Sequence, residues 1–181
     1  FTSALLDTLT RHGNRSPVVL SSSIQAALSN PYGESKRAGE KLLLDYGNRS
    51  GSRIFIYRFP NIFGKWCRPN YNSAVATFCH NIASDLPIQI NDPQAVMQLV
   101  YIDDVVGELI GALQGRETAA SGEPEGYYTV PAVHTIPLGE IARLLRSFRD
   151  SRADLSLPDV SDPLVRKLYS TYLSYLPPHK F

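Results

Sequence analysis

Tyr32 and Lys36 stand four residues apart, and three serines, Ser21 to Ser23, close an apolar run just upstream of them. On a helix, residues at that spacing project from one face, one turn from each other. A phenol on its own loses its proton near pH ~10. An ammonium beside it favours the phenolate and draws that value towards neutrality. Such a phenol can pass a proton to or from the oxygen of a carbonyl or alcohol, while the attached carbon gains or loses hydride. A serine hydroxyl at the end of the preceding strand would hydrogen-bond the same oxygen. Tyr and Lys at this spacing also arise by chance, as an aromatic packed near a surface lysine. The pair acquires meaning only from the elements that position it.

Those elements alternate between helical and extended patterns, the signature of an α/β sheet. Thr2 is expected to cap a short helix with Leu5, Leu6 and Leu9 on its apolar face, ended by Gly13. Pro17 to Leu20 reads as a strand apolar on both faces, with Ser21 to Ser23 as its polar exit. Asn30-Pro31 starts a helix: a capping side chain, then a proline at the first turn, where its missing N–H costs nothing. That helix is expected to run to Tyr46 with Gly47 as a stop. Arg53 to Phe59 is the next strand, and residues 60 to 72 form a long loop of the kind that carries function. A helix follows over Ser73 to Ala83, then extended pieces at 88–90 and 98–102. Asp103 and Asp104 open a helix bearing Val105, Val106, Leu109, Ile110 and Leu113. Tyr127 to Val130 is a strand, Pro137 to Phe148 a helix, and Asp162-Pro163 starts a last helix with Leu164, Leu168 and Tyr172.

Composition excludes several classes. Eighteen Lys+Arg against 17 Asp+Glu, scattered in ones and twos, give a net charge of +1 and no basic stripe for nucleic acid. No apolar run is long enough to span a bilayer, so no membrane partner is expected. Cys67 and Cys79 lack metal-ligand spacing, and His12, His80, His134 and His179 are far apart, so no metal site is expected.

In chain order, Ser21-Ser22-Ser23, Tyr32-Gly33-Glu34-Ser35-Lys36, Arg58-Phe59-Pro60-Asn61-Ile62-Phe63-Gly64 and Tyr101-Ile102-Asp103-Asp104-Val105 resemble the extended short-chain dehydrogenase/reductases of the NAD-dependent epimerase/dehydratase superfamily. More closely, the YGESK segment, Phe63 to Cys67 with Pro69 to Ser73, and Leu168 to Pro177 resemble the CapF-type capsular polysaccharide synthesis proteins. The likeness covers nearly the whole chain.

The resemblance implies an α/β fold, the C-terminal part of a Rossmann-like domain with a parallel sheet and a small substrate-binding lobe. Residues 1–176 would be a partial reductase domain and 177–181 the start of a linker, with His179 no metal ligand. It implies Ser23 as the catalytic hydroxyl, Tyr32 as acid/base, and Lys36 as the residue that tunes it and holds the nicotinamide ribose. Pro60, Asn61 and Ile62 would meet the nicotinamide, and Asn61 the sugar nucleotide. Asn72 and Ser73 would lie near the diphosphate, where helix N–H groups favour an anion. The cofactor would be NADP, with NAD as the second candidate. The substrate would be a UDP-sugar, the setting cytoplasmic and the assembly a homo-oligomer, since half a doubly wound sheet leaves an edge and an apolar face. Asp103 and Asp104 read better as helix capping than as catalysis.

Departures sharpen the reading. Dehydratases carry an Asp-Glu pair directly after the catalytic hydroxyl, where this chain has Ile24 and Gln25, so elimination of water is disfavoured. Where many members carry a phosphate-binding Arg before the YIDD-like motif, this chain has Met97, and Lys65 is expected to supply part of that charge. No glycine-rich dinucleotide fingerprint opens the chain; it would lie before Phe1. The resulting expectation, for a longer parent protein and not for these 181 residues alone, is NADPH-dependent reduction of the C4 ketone of a UDP-linked 4-keto-6-deoxy-N-acetylhexosamine, feeding UDP-N-acetyl-L-fucosamine synthesis. A sugar-nucleotide C4-epimerase and a non-catalytic dinucleotide-binding relative are the alternatives.

Overall fold

The computed structural model describes residues 1–180. In chain order the elements are α1 (Thr2–Arg11), β1 (Val18–Ser23), a 3-10 turn (Ile24–Ala27), α2 (Pro31–Ser50), β2 (Ile54–Phe59), β3 (Asn61–Phe63), α3 (Ala74–Ala83), β4 (Val96–Tyr101), α4 (Ile102–Leu113), β5 (Tyr127–Tyr128), β6 (Val133–Pro137), α5 (Leu138–Asp154), α6 (Pro163–Leu173) and a final 3-10 turn (Pro178–Lys180). They form two compact units. The first comprises Phe1–Pro60 and Glu108–Pro131, the second Asn61–Gly107 and the residues from Ala132 on, the boundary falling within α4.

The first unit holds a parallel sheet in the order β1-β2-β5. Register runs from Val18 opposite Ile54 to Ser23 opposite Phe59, so the carboxyl ends of β1 and β2 lie side by side. The three serines are strand, not an exit from it. Their burial alternates, with Ser22 buried between the more accessible Ser21 and Ser23. A buried hydroxyl is tolerated in a strand when it has a partner, and Ser22 donates to Glu40 Oε1 at 2.5 Å.

Asn30 caps α2, its Oδ1 accepting from Gly33 N–H at 2.8 Å. The helix passes Gly47 and ends at Gly51, which takes the left-handed conformation (φ 72°) that a helix stop favours. Leu43 and Tyr46 of α2 pack with Leu6, Ile54 and Ile56 into the core of this unit. In α1, Thr2 lies inside the helix and makes no side-chain cap; Leu6 is its buried residue while Leu5 is exposed.

The second unit has β3 parallel to β4 and β4 antiparallel to β6. The expected long loop therefore begins with a short strand, because residues 61–63 pair with residues 99–101. Residues 88–90 are irregular, and β6, a strand not apparent from the sequence, completes the sheet. Ser73 caps α3 by accepting from Ala76 N–H at 3.2 Å, and Asp162 caps α6 by accepting from Val165 N–H at 2.9 Å. The core gathers Phe63, Phe78, Cys79, Leu99, Tyr101, Ile141, Leu145, Phe148, Leu168 and Tyr172, among others. Burial pushes the Cys79 thiol well above its ordinary range, which makes it an inert packing group. At the C-terminal end, Lys180 donates to the Ala83 carbonyl and pairs with Asp85.

No described helix is long and apolar enough to cross a membrane. The described residues contain no group of three His, Cys, Asp or Glu side chains placed to hold a metal.

Candidate active site

In the first unit, β1 delivers Ser23 to the carboxyl edge of the parallel sheet, where α/β folds bind ligands. Its Oγ accepts from Gln25 N–H at 3.2 Å and opens the 3-10 turn, and among the described residues its hydroxyl proton has no acceptor. The Asn30 cap starts α2 directly after that turn, so Tyr32 and Lys36 occupy the first two turns of the helix. Tyr32 is half exposed. Lys36 Nζ lies 5.4 Å from the centre of the Tyr32 ring, inside cation–π range, and its ammonium reaches the Ser21 carbonyl at 3.4 Å. Pro60 follows β2, one residue past the partner of Ser23. The Lys36 ammonium is thus brought to both the Tyr32 ring and the backbone at the end of β1.

One turn beyond Lys36, Glu40 is buried and accepts four hydrogen bonds. They come from Ser22 Oγ, from Arg58 Nε at 3.0 Å, from Arg58 Nη2 at 2.7 Å and from the Tyr127 hydroxyl at 3.2 Å. Burial raises the Glu40 carboxyl, but the hydrogen bonds from Arg58 and Ser22 and the guanidinium charge outweigh it and hold the group below its ordinary value. The same bonds push Arg58 upward. Arg58 also stacks over the Tyr127 ring at 4.6 Å and pairs with Glu123 at 3.1 Å. Sequence reasoning passed over this cluster. Two signals pointed to it: Glu40 continues the Tyr32–Lys36 face at the same four-residue step, and Arg58 is a charge inside an otherwise apolar strand.

The second unit holds the remaining expected site residues. Asn61 donates from its amide to the Gln98 carbonyl on the paired strand, at 3.1 Å. Ile62 is paired opposite Val100. Lys65 donates to Asp103 Oδ2 at 3.1 Å and lies 5.9 Å from the Tyr101 ring centre. Asn72 is exposed, and the Ser73 hydroxyl is committed to capping α3. Asp103 and Asp104 lie inside the first turn of α4, which begins at Ile102, so they favour the helix dipole rather than cap the helix, and each also holds a lysine: Lys65 and Lys167.

A parallel sheet whose strand end presents Ser23 beside a helix-borne Tyr–Lys pair is the arrangement of a short-chain dehydrogenase/reductase. The chain belongs to the NAD dependent epimerase/dehydratase family, whose model matches residues 8–126. It is 48% identical over 181 residues to the UDP-2-acetamido-2,6-beta-L-arabino-hexul-4-ose reductase of Pseudomonas aeruginosa, a match covering 99% of this chain and 47% of that protein. Its fold superposes with a TM-score of 0.92, at 48% identity, on the capsular polysaccharide assembling protein CapF of Staphylococcus aureus, covering 98% of this chain and 48% of that one. A UDP-glucuronate 4-epimerase of Arabidopsis thaliana is 33% identical over 101 residues, 52% of this chain and 23% of that protein. The chain spans about half the length of the reductase and of CapF. The α/β fold expected from the sequence is the fold found.

Proposed function

We propose that the protein carrying this chain reduces the C4 ketone of a UDP-linked 4-keto-6-deoxy-N-acetylhexosamine with NADPH, in the synthesis of UDP-N-acetyl-L-fucosamine. The observation that carries this reading is the Tyr32–Lys36 pair in the first turns of α2, beside the strand end that bears Ser23. The likeness to the P. aeruginosa reductase supports the sugar and the direction of reaction.

The residues fit a nicotinamide cofactor. Lys36 has ammonium protons to spare for a ribose hydroxyl beyond its one bond to the Ser21 carbonyl, and Pro60 with Asn61 and Ile62 would border the nicotinamide. NADPH, when bound, supplies the hydride; NAD is the second candidate. Tyr32 donates the proton that converts the ketone oxygen to a hydroxyl. Ser23 hydrogen-bonds that oxygen and orients the carbonyl. Lys36, 5.4 Å from the phenol ring centre, stabilises the phenolate that Tyr32 becomes on giving up its proton, which solvent then restores. Asn61, Lys65, Asn72 and Ser73 would bind the UDP-sugar, with Lys65 placed to share its charge between Asp103 and a phosphate. Ile24 and Gln25, exposed after Ser23, offer no acid–base pair for dehydration. The setting is cytoplasmic, where nucleotide sugars are made, and the assembly a homo-oligomer, which sedimentation of the protein as its gene encodes it would test.

Cofactor stoichiometry tests the reaction. One NADPH oxidised per UDP-4-keto-sugar consumed is expected. Sugar conversion without net cofactor oxidation would make the protein a C4-epimerase instead.

A further inference from the structure

Glu40 is 1% exposed. A carboxylate so buried is costly unless fully paired, and even a well-made buried ion pair adds little stability over an apolar replacement of the same volume. Stability alone is therefore a weak reason for this cluster, and its connections suggest another. The residues that donate to Glu40 come from all three strands of the sheet: Ser22 in β1, Arg58 in β2 and Tyr127 in β5. Ser22 immediately precedes Ser23, and Arg58 immediately precedes Phe59, the register partner of Ser23. On the helix side, Lys36 and Tyr32 lie one and two turns before Glu40, about 6 and 12 Å along the axis. The guanidinium has no slack: two of its nitrogens grip Glu40, a third meets Glu123, and its plane rests on Tyr127.

We propose that the Glu40–Arg58 pair is the positioning element that sets Tyr32 and Lys36 in register with Ser23, rather than a mere cement of the fold. The proposal rests on the reductase reading for its consequence in catalysis. A slide of α2 by one residue would move Tyr32 by about 1.5 Å relative to Ser23, and misplacement on that scale costs roughly a hundredfold in rate.

The test uses the protein as its gene encodes it. In the double variant Glu40→Gln/Arg58→Gln a neutral amide pair replaces the ions and leaves no unpaired buried charge, so folding is expected to survive. Two readouts follow: hydrogen exchange of the backbone amides of Ser35 to Leu42, and single-turnover hydride transfer. Exchange in that segment should rise about tenfold while α5 is unchanged. Hydride transfer should slow by about ten- to a hundredfold, with KM for the UDP-sugar and for NADPH within about threefold. Arg58→Lys, which keeps the charge and loses the fork, should fall between native and double variant. If the double variant does not fold, Arg58→Lys carries both readouts. Native exchange, or native hydride transfer, in these variants would overturn the proposal. Exchange reads the helix whether or not a chosen sugar turns over. A native protein that reduces no UDP-4-keto-sugar therefore overturns the reductase reading, whereas unchanged exchange overturns the positioning role.

Discussion

Gly33 meets the 3-10 turn so closely that a Cβ on it would lie 2.1 Å from the Gln25 carbonyl oxygen and 2.7 Å from that of Leu28. Both are backbone atoms, which have no rotamer to escape through. The glycine beside Tyr32 is thus what allows α2 to start directly against the turn that follows Ser23. Gly33→Ala should cost about 2–3 kcal/mol in chemical denaturation and lower turnover by displacing Tyr32. Gly39, in the same helix with open space around it, is the control. There alanine should stabilise by about 0.5–1 kcal/mol.

Acid should release the Glu40 cluster. The carboxyl is held below its ordinary value in the folded chain, so its contribution is complete above the unfolded value near pH ~4.3 and is lost as the pH falls through the lowered folded value. Urea midpoints measured from neutral pH down to about pH 3 should therefore fall more steeply for the native protein than for Glu40→Gln/Arg58→Gln. Parallel curves would remove Glu40 from the acid response.

His134 should act at milder pH. Its Nε2 lies 3.2 Å from Lys167 Nζ, which donates to Asp104 Oδ2 at 2.6 Å. Burial and the Lys167 charge lower the imidazole from its ordinary value, against the opposing pull of Asp104 and Asp162. The folded chain then binds fewer protons than the unfolded one below about pH 6.5, so stability should decline as the pH drops through that range. His134→Gln should flatten the melting temperature between about pH 7 and pH 5.5.

Lys65 tests the charge of the proposed UDP-sugar site. Lys65→Ala should weaken UDP-sugar binding about tenfold, the loss of one charge-assisted contact. Asp103→Asn, which frees Lys65 from its 3.1 Å partner, should tighten it. Calorimetric titration of both variants reads the outcome, and unchanged affinity in Lys65→Ala would assign the phosphate to other residues.

The elements that would carry the proposed reaction were legible because local chemistry dictates them. Asn30-Pro31 announced the start of α2, Asp162-Pro163 that of α6, and the Tyr–Lys spacing placed both side chains on one helix face. What stayed hidden depends on partners distant in sequence. Ser21 to Ser23 look like a polar exit from a strand until Glu40, eighteen residues from Ser22, supplies the buried hydroxyl with an acceptor. Residues 61–63 look like loop until β4 pairs with them, and β6 is recognisable as a strand only through its antiparallel register with β4. Gly47 looked like a stop because glycine often is one, yet the chain first meets its left-handed turn at Gly51. Ser73 and Asn61, expected as ligand contacts, also have structural work: the Ser73 hydroxyl caps α3 and the Asn61 amide bonds the β4 backbone, partners that sequence alone does not disclose.

The most direct measurement follows the label from deuterated NADPH into the sugar, for the native protein and for Tyr32→Phe. The account expects deuterium at C4 of the UDP-sugar product with native protein, and transfer slowed by about 10²- to 10⁴-fold when the phenol is removed. Near-native transfer in Tyr32→Phe, or deuterium absent from C4, would contradict it.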